Sequence, residues 1–334
     1  MESLDKKKSI LVITKIDTIK GLFNKLDQKY NIHYLPDASI DLLKAIKQNE
    51  REEITALFTN PNRSRVKIDK NLLELFPNLD VICTASTGTV HIDIQECKKN
   101  NIHILSLKEE LKILQSVSST AELAFLFMML SFRDVISSSE DVLKGKWDCE
   151  KFIGRQLNHL NVGVIGFGRL GKMFANYAFA FNSKIFIYDP YFEEKKDFPK
   201  YHFTKSLIEL AENVDVISIH VHVNEETKGM VNSELMNNCN KSIHIINTSR
   251  GEIVNESDLF KFLSENSEAK YMTDVIDNEI SDRDNSPIFK AYIDNILKNQ
   301  ILITPHIGGM THDARYIAYH HSVNLLLEYH FKNV

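Results

Sequence analysis

The chain has 334 residues, enough for two domains and a substantial core. Its 40 basic and 45 acidic residues leave a formal charge of −5, which offers no basic stripe for nucleic acid and no polybasic membrane footprint. Four cysteines, Cys83, Cys97, Cys149 and Cys239, stand far apart without a CxxC pair, so neither a zinc site nor a disulfide framework is expected.

Past the N-terminal lysines the apolar run is too short for a secretory h-region. A reduced, soluble, cytoplasmic protein is the expectation. Short β-branched runs at residues 10–14, 54–59, 81–85 and 102–106 then alternate with helical patterns. Near-continuous apolar strands separated by helices predict a parallel sheet covered on both faces.

Ser119-Thr-Ala-Glu122 reads as a capping box that opens an apolar helix over 121–132, which places a domain boundary near residue 117. The stretch 121–130 contains Glu122 and is half the length of a membrane span. Being apolar on nearly all sides, with Phe125, Leu126, Phe127, Met128 and Met129 in succession, the helix is expected between layers or against a second copy.

Six further strands follow at 162–166, 184–189, 214–220, 242–248, 270–275 and 301–304, with starts about 22 to 31 residues apart, the size of one βα unit. Six such units make a complete doubly wound domain. A last helix over 311–331 offers Ile317, Ala318, Leu325, Leu326 and Leu327 as apolar positions. Three residues follow it, and no further domain is expected.

The run from Asn161 to Phe181 contains Gly166-x-Gly168-x-x-Gly171, after a strand and opening a helix. The next strand ends in Asp189, 23 residues after Gly166. Gly166 would make the tight turn and Gly168 would admit a pyrophosphate. Gly171 would let helix and strand pack closely, with the helix N-terminus supplying N–H donors. Asp189 would bind both ribose hydroxyls and repel a 2′-phosphate, favouring NAD over NADP. Its blander reading is a cap on the turn at Pro190.

Ligands of a parallel sheet lie beyond the carboxyl ends of the strands. Those ends carry Gly166, Asp189, His220, Thr248-Ser249-Arg250, Asp274 and His306. Reducing a ketone needs a hydride and a proton, and histidine supplies the proton best near neutral pH. His306 lies in Thr304-Pro-His-Ile-Gly-Gly309, where glycines let backbone approach a ligand. A single such histidine is ordinarily a hydrogen-bonded structural residue. Glu279 would orient its imidazole, although a loop carboxylate is usually just solvated. Arg250 could clamp a carboxylate bidentately or simply sit on the turn at Gly251. His220-Val-His222 invites a metal reading, but the two side chains point to opposite faces of a strand and a third ligand is missing, so no metal is expected. His320-His321 is expected to be exposed.

These residues resemble the D-isomer-specific 2-hydroxyacid dehydrogenases, a family that includes the phosphoglycerate dehydrogenases. The likeness runs in order through Ala85-Ser-Thr-Gly-Thr89, Trp147, Phe152-Ile-Gly-Arg-Gln-Leu157 and the glycine loop. It continues through Asn247-Thr-Ser-Arg-Gly251, Thr273-Asp-Val275 and Thr304-Pro-His-Ile-Gly-Gly309. The resemblance implies catalytic roles for Arg250, Glu279 and His306, and the family's spacing of 29 residues from arginine to glutamate is kept. It implies NAD contacts at Thr87, Gly166, Gly168, Arg169, Leu170, Gly171, Asp189, Thr248, Ser249 and Asp274. The substrate carboxylate would meet the backbone of Ser86, Thr87 and Gly88 together with Arg250.

The implied fold is α/β, with two doubly wound parallel-sheet domains. A Rossmann domain at 118–305 is inserted into a discontinuous substrate domain at 1–117 and 306–334, with the active site in the cleft between them. The implied activity is hydride transfer between NADH and a 2-keto acid or D-2-hydroxy acid, in a homodimer.

The chain departs from the family at Val90, His222 and Ile280, and a segment at 284–299 lengthens the path to His306. The loop Asn60-Pro-Asn-Arg-Ser64, where relatives often place a substrate arginine, aligns ambiguously. A regulatory domain like that of the longer phosphoglycerate dehydrogenases is not expected, and the substrate's far end stays open. Two alternatives remain: a co-repressor-like NAD(H)-sensing protein of the same fold, and an NADP-dependent glyoxylate-type reductase, which Asp189 disfavours.

Overall fold

The computed structural model describes residues 7–60, 66–280 and 282–331. The chain divides into one unit made of Met1–Val117 with Met310–Val334 and a second made of Ser118–Gly309.

In the first unit, β1 (Lys8–Val12), β2 (Tyr30–Tyr34), β3 (Ile54–Thr59), β4 (Val81–Thr84) and β5 (His103–Leu105) form a parallel sheet. Its order is β2-β1-β3-β4-β5. The two-residue period of a strand deals side chains to alternate faces. Leu11, Leu57 and Ile82 enter one core, while Ile10, Val12, Phe58 and Cys83 enter the other. Helix His312–Phe331 seals the second core with Tyr319, Val323 and Leu326. Of the apolar positions expected on that helix, Leu326 is buried and Ile317, Ala318, Leu325 and Leu327 are half-buried. His320 and His321 are half-buried too, not exposed: His320 meets the Lys20 carbonyl and His321 meets Glu110.

The sequence pattern does not predict β2. It is an edge strand, mostly half-buried, and Tyr30-Asn-Ile-His-Tyr34 lacks the continuous apolar run of a central strand.

In the second unit, β6 (Asn161–Ile165), β7 (Lys184–Tyr188), β8 (His202–Phe203), β9 (Val216–Ile219), β10 (His244–Asn247), β11 (Lys270–Thr273) and β12 (Ile301–Ile303) make a seven-stranded parallel sheet. The order is β12-β11-β10-β9-β6-β7-β8. The chain begins in the middle at β6, builds outward to β8, and returns to lay β9 against the other side of β6. That reversal opens a crevice beyond the carboxyl ends of β6 and β9. β8, only two residues long, is too short to announce itself in sequence.

Helix Ser119–Arg133 buries Ala121, Ala124, Phe127, Met128 and Phe132, and leaves Leu126 46% and Met129 37% exposed. The capping box does not form. Ser118 precedes the helix and its hydroxyl donates to Glu122 at 2.5 Å, whereas Ser119 is buried inside the first turn. The apolar stretch Leu111–Arg133 reaches a mean hydropathy of 1.5 over an 18-residue window but is broken between Leu114 and Ser119. Its 15-residue helix falls short of the roughly 20 residues that span a bilayer.

Candidate active site

The glycine loop joins β6 to helix Arg169–Ala180. Gly166 has φ +88°, and a Cβ there would lie 2.6 Å from the His220 carbonyl oxygen. A Cβ at Gly171 would lie 2.0 Å from the Gly166 oxygen, so the helix sits directly on the turn. Gly168 differs. It precedes the helix with no side-chain cap, and nothing lies within 4 Å of where its Cβ would be. Open space before free helix N–H groups is what a pyrophosphate requires. Arg169 and Leu170 open the helix half-buried, and burial lowers the pKa of the Arg169 guanidinium.

Asp189 follows β7, and its carboxylate accepts from the Phe167 amide at 2.7 Å and the Tyr191 amide at 3.0 Å. It therefore caps the turn at Pro190 and also braces the glycine loop. Phe167 is fully buried among Phe192, Phe198, Tyr201 and Phe203, with ring centroids 5.0 to 5.6 Å away. Lys172 stands 4.6 Å above the Phe192 ring. The fold thus fits the dinucleotide expected from the motif.

Beyond β9, the His220 ring contacts the Ser218 hydroxyl at 2.9 Å and packs near Phe174. Burial pushes its pKa down to about 3, so it is a neutral core group. His222 is exposed, and no cluster of three metal-ligating side chains occurs among the described residues.

The loop after β10 carries Thr248, Ser249 and Arg250. The Ser249 hydroxyl donates to the Ile219 carbonyl at 2.7 Å, and the Asn247 side chain spans the turn to the Ser249 amide and the Arg250 carbonyl. Thr248 is buried, its hydroxyl without a hydrogen-bond partner. Arg250 is half-buried and its guanidinium donates to the Ser249 carbonyl at 2.6 Å. A Cβ on Gly251 would come 1.9 Å from the Ile276 carbonyl carbon, so the arginine turn presses against the loop after β11.

That loop and the one after β12 meet at Glu279 and His306. His306 Nδ1 lies 2.5 Å from Glu279 Oε1, both groups about a quarter exposed. His306 has φ +55°, a conformation that L-residues avoid unless held. The hold is Asp274, 2% exposed. Its carboxylate accepts from the Thr304 hydroxyl at 2.5 Å and from the Ile307 and Gly308 amides at 2.7 Å each. Burial raises the pKa of the Asp274 carboxyl, and these three donors, with His306 nearby, oppose the rise. Because of these bonds, residues 306–309 stay with the second unit, which ends at Gly309, and the return to the first unit comes at Met310. Asp274, expected from sequence as a nucleotide contact, also holds the histidine loop with both carboxylate oxygens.

A second buried carboxylate, Glu256, went unnoticed in the sequence. It accepts from the Asp277 amide at 2.9 Å and the Ser286 hydroxyl at 2.5 Å, on either side of Glu279. Nothing in the Asn255-Glu-Ser-Asp258 pattern separates it from an ordinary exposed residue of a helix's first turn.

Ser86, Thr87 and Gly88 follow β4 in the first unit. The Ser86 hydroxyl meets the Gly88 carbonyl at 2.7 Å and the Thr84 hydroxyl at 2.9 Å. In the loop from Asn60 to Ser64, residues 61–64 lie outside the described residues.

The family model described as "D-isomer specific 2-hydroxyacid dehydrogenase, NAD binding domain" matches residues 125–308. The chain is 26% identical to a D-3-phosphoglycerate dehydrogenase of Bacillus subtilis over 86% of its own length and 53% of that protein's, so it spans about half of that relative. It is 32% identical to a glyoxylate reductase of Thermococcus litoralis, with 75% of this chain and 73% of that one aligned. A D-lactate dehydrogenase from Aquifex aeolicus, solved with NAD and lactic acid, is similar with TM-score 0.76 and 26% identity, over 96% of this chain and 95% of that one.

Proposed function

The chain belongs to the D-isomer specific 2-hydroxyacid dehydrogenase family, and on that premise we propose that it transfers a hydride between NADH and a 2-keto acid to give the D-2-hydroxy acid, or runs the reverse reaction. The observation that carries this reading is the 2.5 Å contact between His306 Nδ1 and Glu279 on a loop pinned by Asp274. NAD(H) supplies and receives the hydride.

The rest falls to side chains. With Nδ1 turned to Glu279, proton delivery belongs to His306 Nε2, which in reduction gives its proton to the carbonyl oxygen as the alkoxide develops. Glu279 fixes the ring and stabilises its charged form. Arg250 binds the substrate carboxylate and draws electron density from the neighbouring carbonyl. Gly166, Gly168, Arg169, Leu170 and Gly171 cradle the pyrophosphate, Asp189 takes the adenosine ribose, and Thr248, Ser249 and Asp274 complete the nucleotide site.

We place the protein in the cytoplasm as a twofold dimer whose contact uses Leu126 and Met129, large apolar side chains left exposed on their helix. The test is NADH oxidation across a panel of 2-keto acids that includes glyoxylate, phosphorylated keto acids and sugar-derived ones. At least one is expected to be turned over, with NADH preferred to NADPH. A protein that binds NADH yet reduces none of them overturns the reading, and a monomer mass by light scattering overturns the dimer.

A further inference from the structure

Glu256 opens helix Glu256–Glu265 and is 6% exposed. A first-turn carboxylate usually faces water and interacts with its own helix terminus. This one turns away, into the base of the loop that carries Glu279. It holds the Asp277 amide at 2.9 Å on one side and the Ser286 hydroxyl at 2.5 Å on the other. Burying a carboxylate is costly, and two donors are needed to make it tolerable. Burial raises the pKa of its carboxyl, while the bonds from Ser286 and Asp277 act in the opposite direction.

We propose that Glu256 is a positioning residue for the reaction: it clamps both feet of the 277–286 loop, so setting the reach of Glu279 to His306. The inference rests on the reading of His306 and Glu279 given above. Between the two feet, Asn278 has φ +51°, a turn that would relax without anchorage. Ser286 extends the clamp. Its hydroxyl oxygen also accepts from the Phe289 amide at 3.0 Å and caps helix Pro287–Ile293, which buries Ile288 and Ala291 in the core. Segment 284–299, expected from the sequence to lengthen the path to His306, is thereby fastened to the carboxylate that holds the Glu279 loop. The arginine turn leans on the same loop through Gly251. One buried group therefore bears on two of the three chemical side chains.

The experiment pairs Glu256→Ala with Glu256→Gln and Ser286→Ala, using the full chain, NADH and the 2-keto acid that proves active. A displacement of about 1 Å at a reacting group can cost roughly a hundredfold. Glu256→Ala is expected to lower kcat about 10- to 100-fold with KM for NADH within about twofold. Glu256→Gln, whose amide oxygen still accepts from Asp277, should recover most of that loss. Ser286→Ala removes one bond of two and should cost a few-fold, roughly; it carries the test if the alanine variant at 256 does not fold.

Hydrogen–deuterium exchange supplies a readout independent of turnover. Glu256→Ala should speed exchange within 277–286 and leave 166–171 unaffected. If kcat stays within about twofold of wild type, or exchange in 277–286 does not change, the proposal is wrong. If wild type reduces no keto acid, the dehydrogenase reading fails instead, and the exchange experiment still decides whether Glu256 holds the loop.

Discussion

Two regions at the carboxyl edge of the seven-stranded sheet solve opposite problems. The glycine loop after β6 must leave room: its turn curls at Gly166, and its helix packs down at Gly171. Space opens beside Gly168. Its Gly166 and Phe167 amides donate to Tyr188 and Asp189, and the helix beyond them opens at Gly168 without a side-chain cap. The loops after β11 and β12 must leave no slack. There the backbone amides of Asp277, Ile307 and Gly308 point inward, onto the buried carboxylates of Glu256 and Asp274. The glycine loop thus gives up side chains and leaves space beside its backbone, and the loops that carry Glu279 and His306 bury charge to hold their backbone still.

The sharpest way to break this contrast is to remove one function and ask whether the other survives. His306→Ala should lower kcat by roughly 10²- to 10⁴-fold, the usual loss for an acid–base group. NADH affinity, read by fluorescence titration, should stay within about twofold, and a parallel fall would mean the two loops are not separable. The glycine loop gives a graded test. Gly171→Ala drives a methyl into the Gly166 carbonyl and should destabilise the fold by about 2–3 kcal/mol while weakening NADH binding at least roughly tenfold. Gly168→Ala meets no protein atom, so urea unfolding should change by less than about 1 kcal/mol, although NADH still binds more weakly.

Smaller effects refine the comparison. Arg250→Lys should chiefly raise KM for the keto acid, about tenfold, because an ammonium cannot reproduce a two-pronged contact. Asp189→Asn should narrow the preference for NADH over NADPH by about tenfold, since a neutral amide no longer repels a 2′-phosphate. Comparable kcat/KM for both cofactors in wild type would remove the basis for that assignment.

The least effect lies at the opposite edge of the same sheet and serves as a control. His244 begins β10, 6% exposed, stacked on Phe132 with its Nδ1 at the Ser131 hydroxyl. Burial, with help from the Lys270 and Arg155 charges, lowers its pKa to about 3. The unfolded chain takes up a proton near pH 6.5 and the folded one only near 3, so stability is lost as pH falls through that window. His244→Gln should reduce the loss between pH 7 and 5 by about 1–2 kcal/mol and leave the midpoints of both loop functions unmoved.

The ligand-holding loop was the more legible of the two. Gly166, Gly168, Gly171 and Asp189 are demanded by residue type at fixed spacing, so their pattern survives in one dimension. Most strands were legible too, because central parallel strands are continuous apolar runs. β2 escaped as a half-buried edge and β8 through brevity. The carboxylates that hold the catalytic loops left no such trace. Asp274 drew attention as a strand-end residue and, by resemblance, as a nucleotide contact, and Glu256 looks like any acidic residue in a helix's first turn. What they do depends on amides and hydroxyls up to 34 residues away, which no local pattern announces. The capping box failed for a related reason: Ser119 is buried inside the first turn, and Glu122 pairs with the Ser118 hydroxyl instead.

Helix His312–Phe331 has a consequence for biosynthesis. A nascent chain that has emerged through Gly309 already holds every strand of the seven-stranded sheet. The five-stranded sheet, begun hundreds of residues earlier, still lacks Tyr319, Val323 and Leu326 over Ile10, Val12, Phe58 and Cys83. On the ribosome, then, the unit translated in the middle is the first that can close, and the unit translated first waits longest, exposing one apolar face to chaperones until this helix arrives.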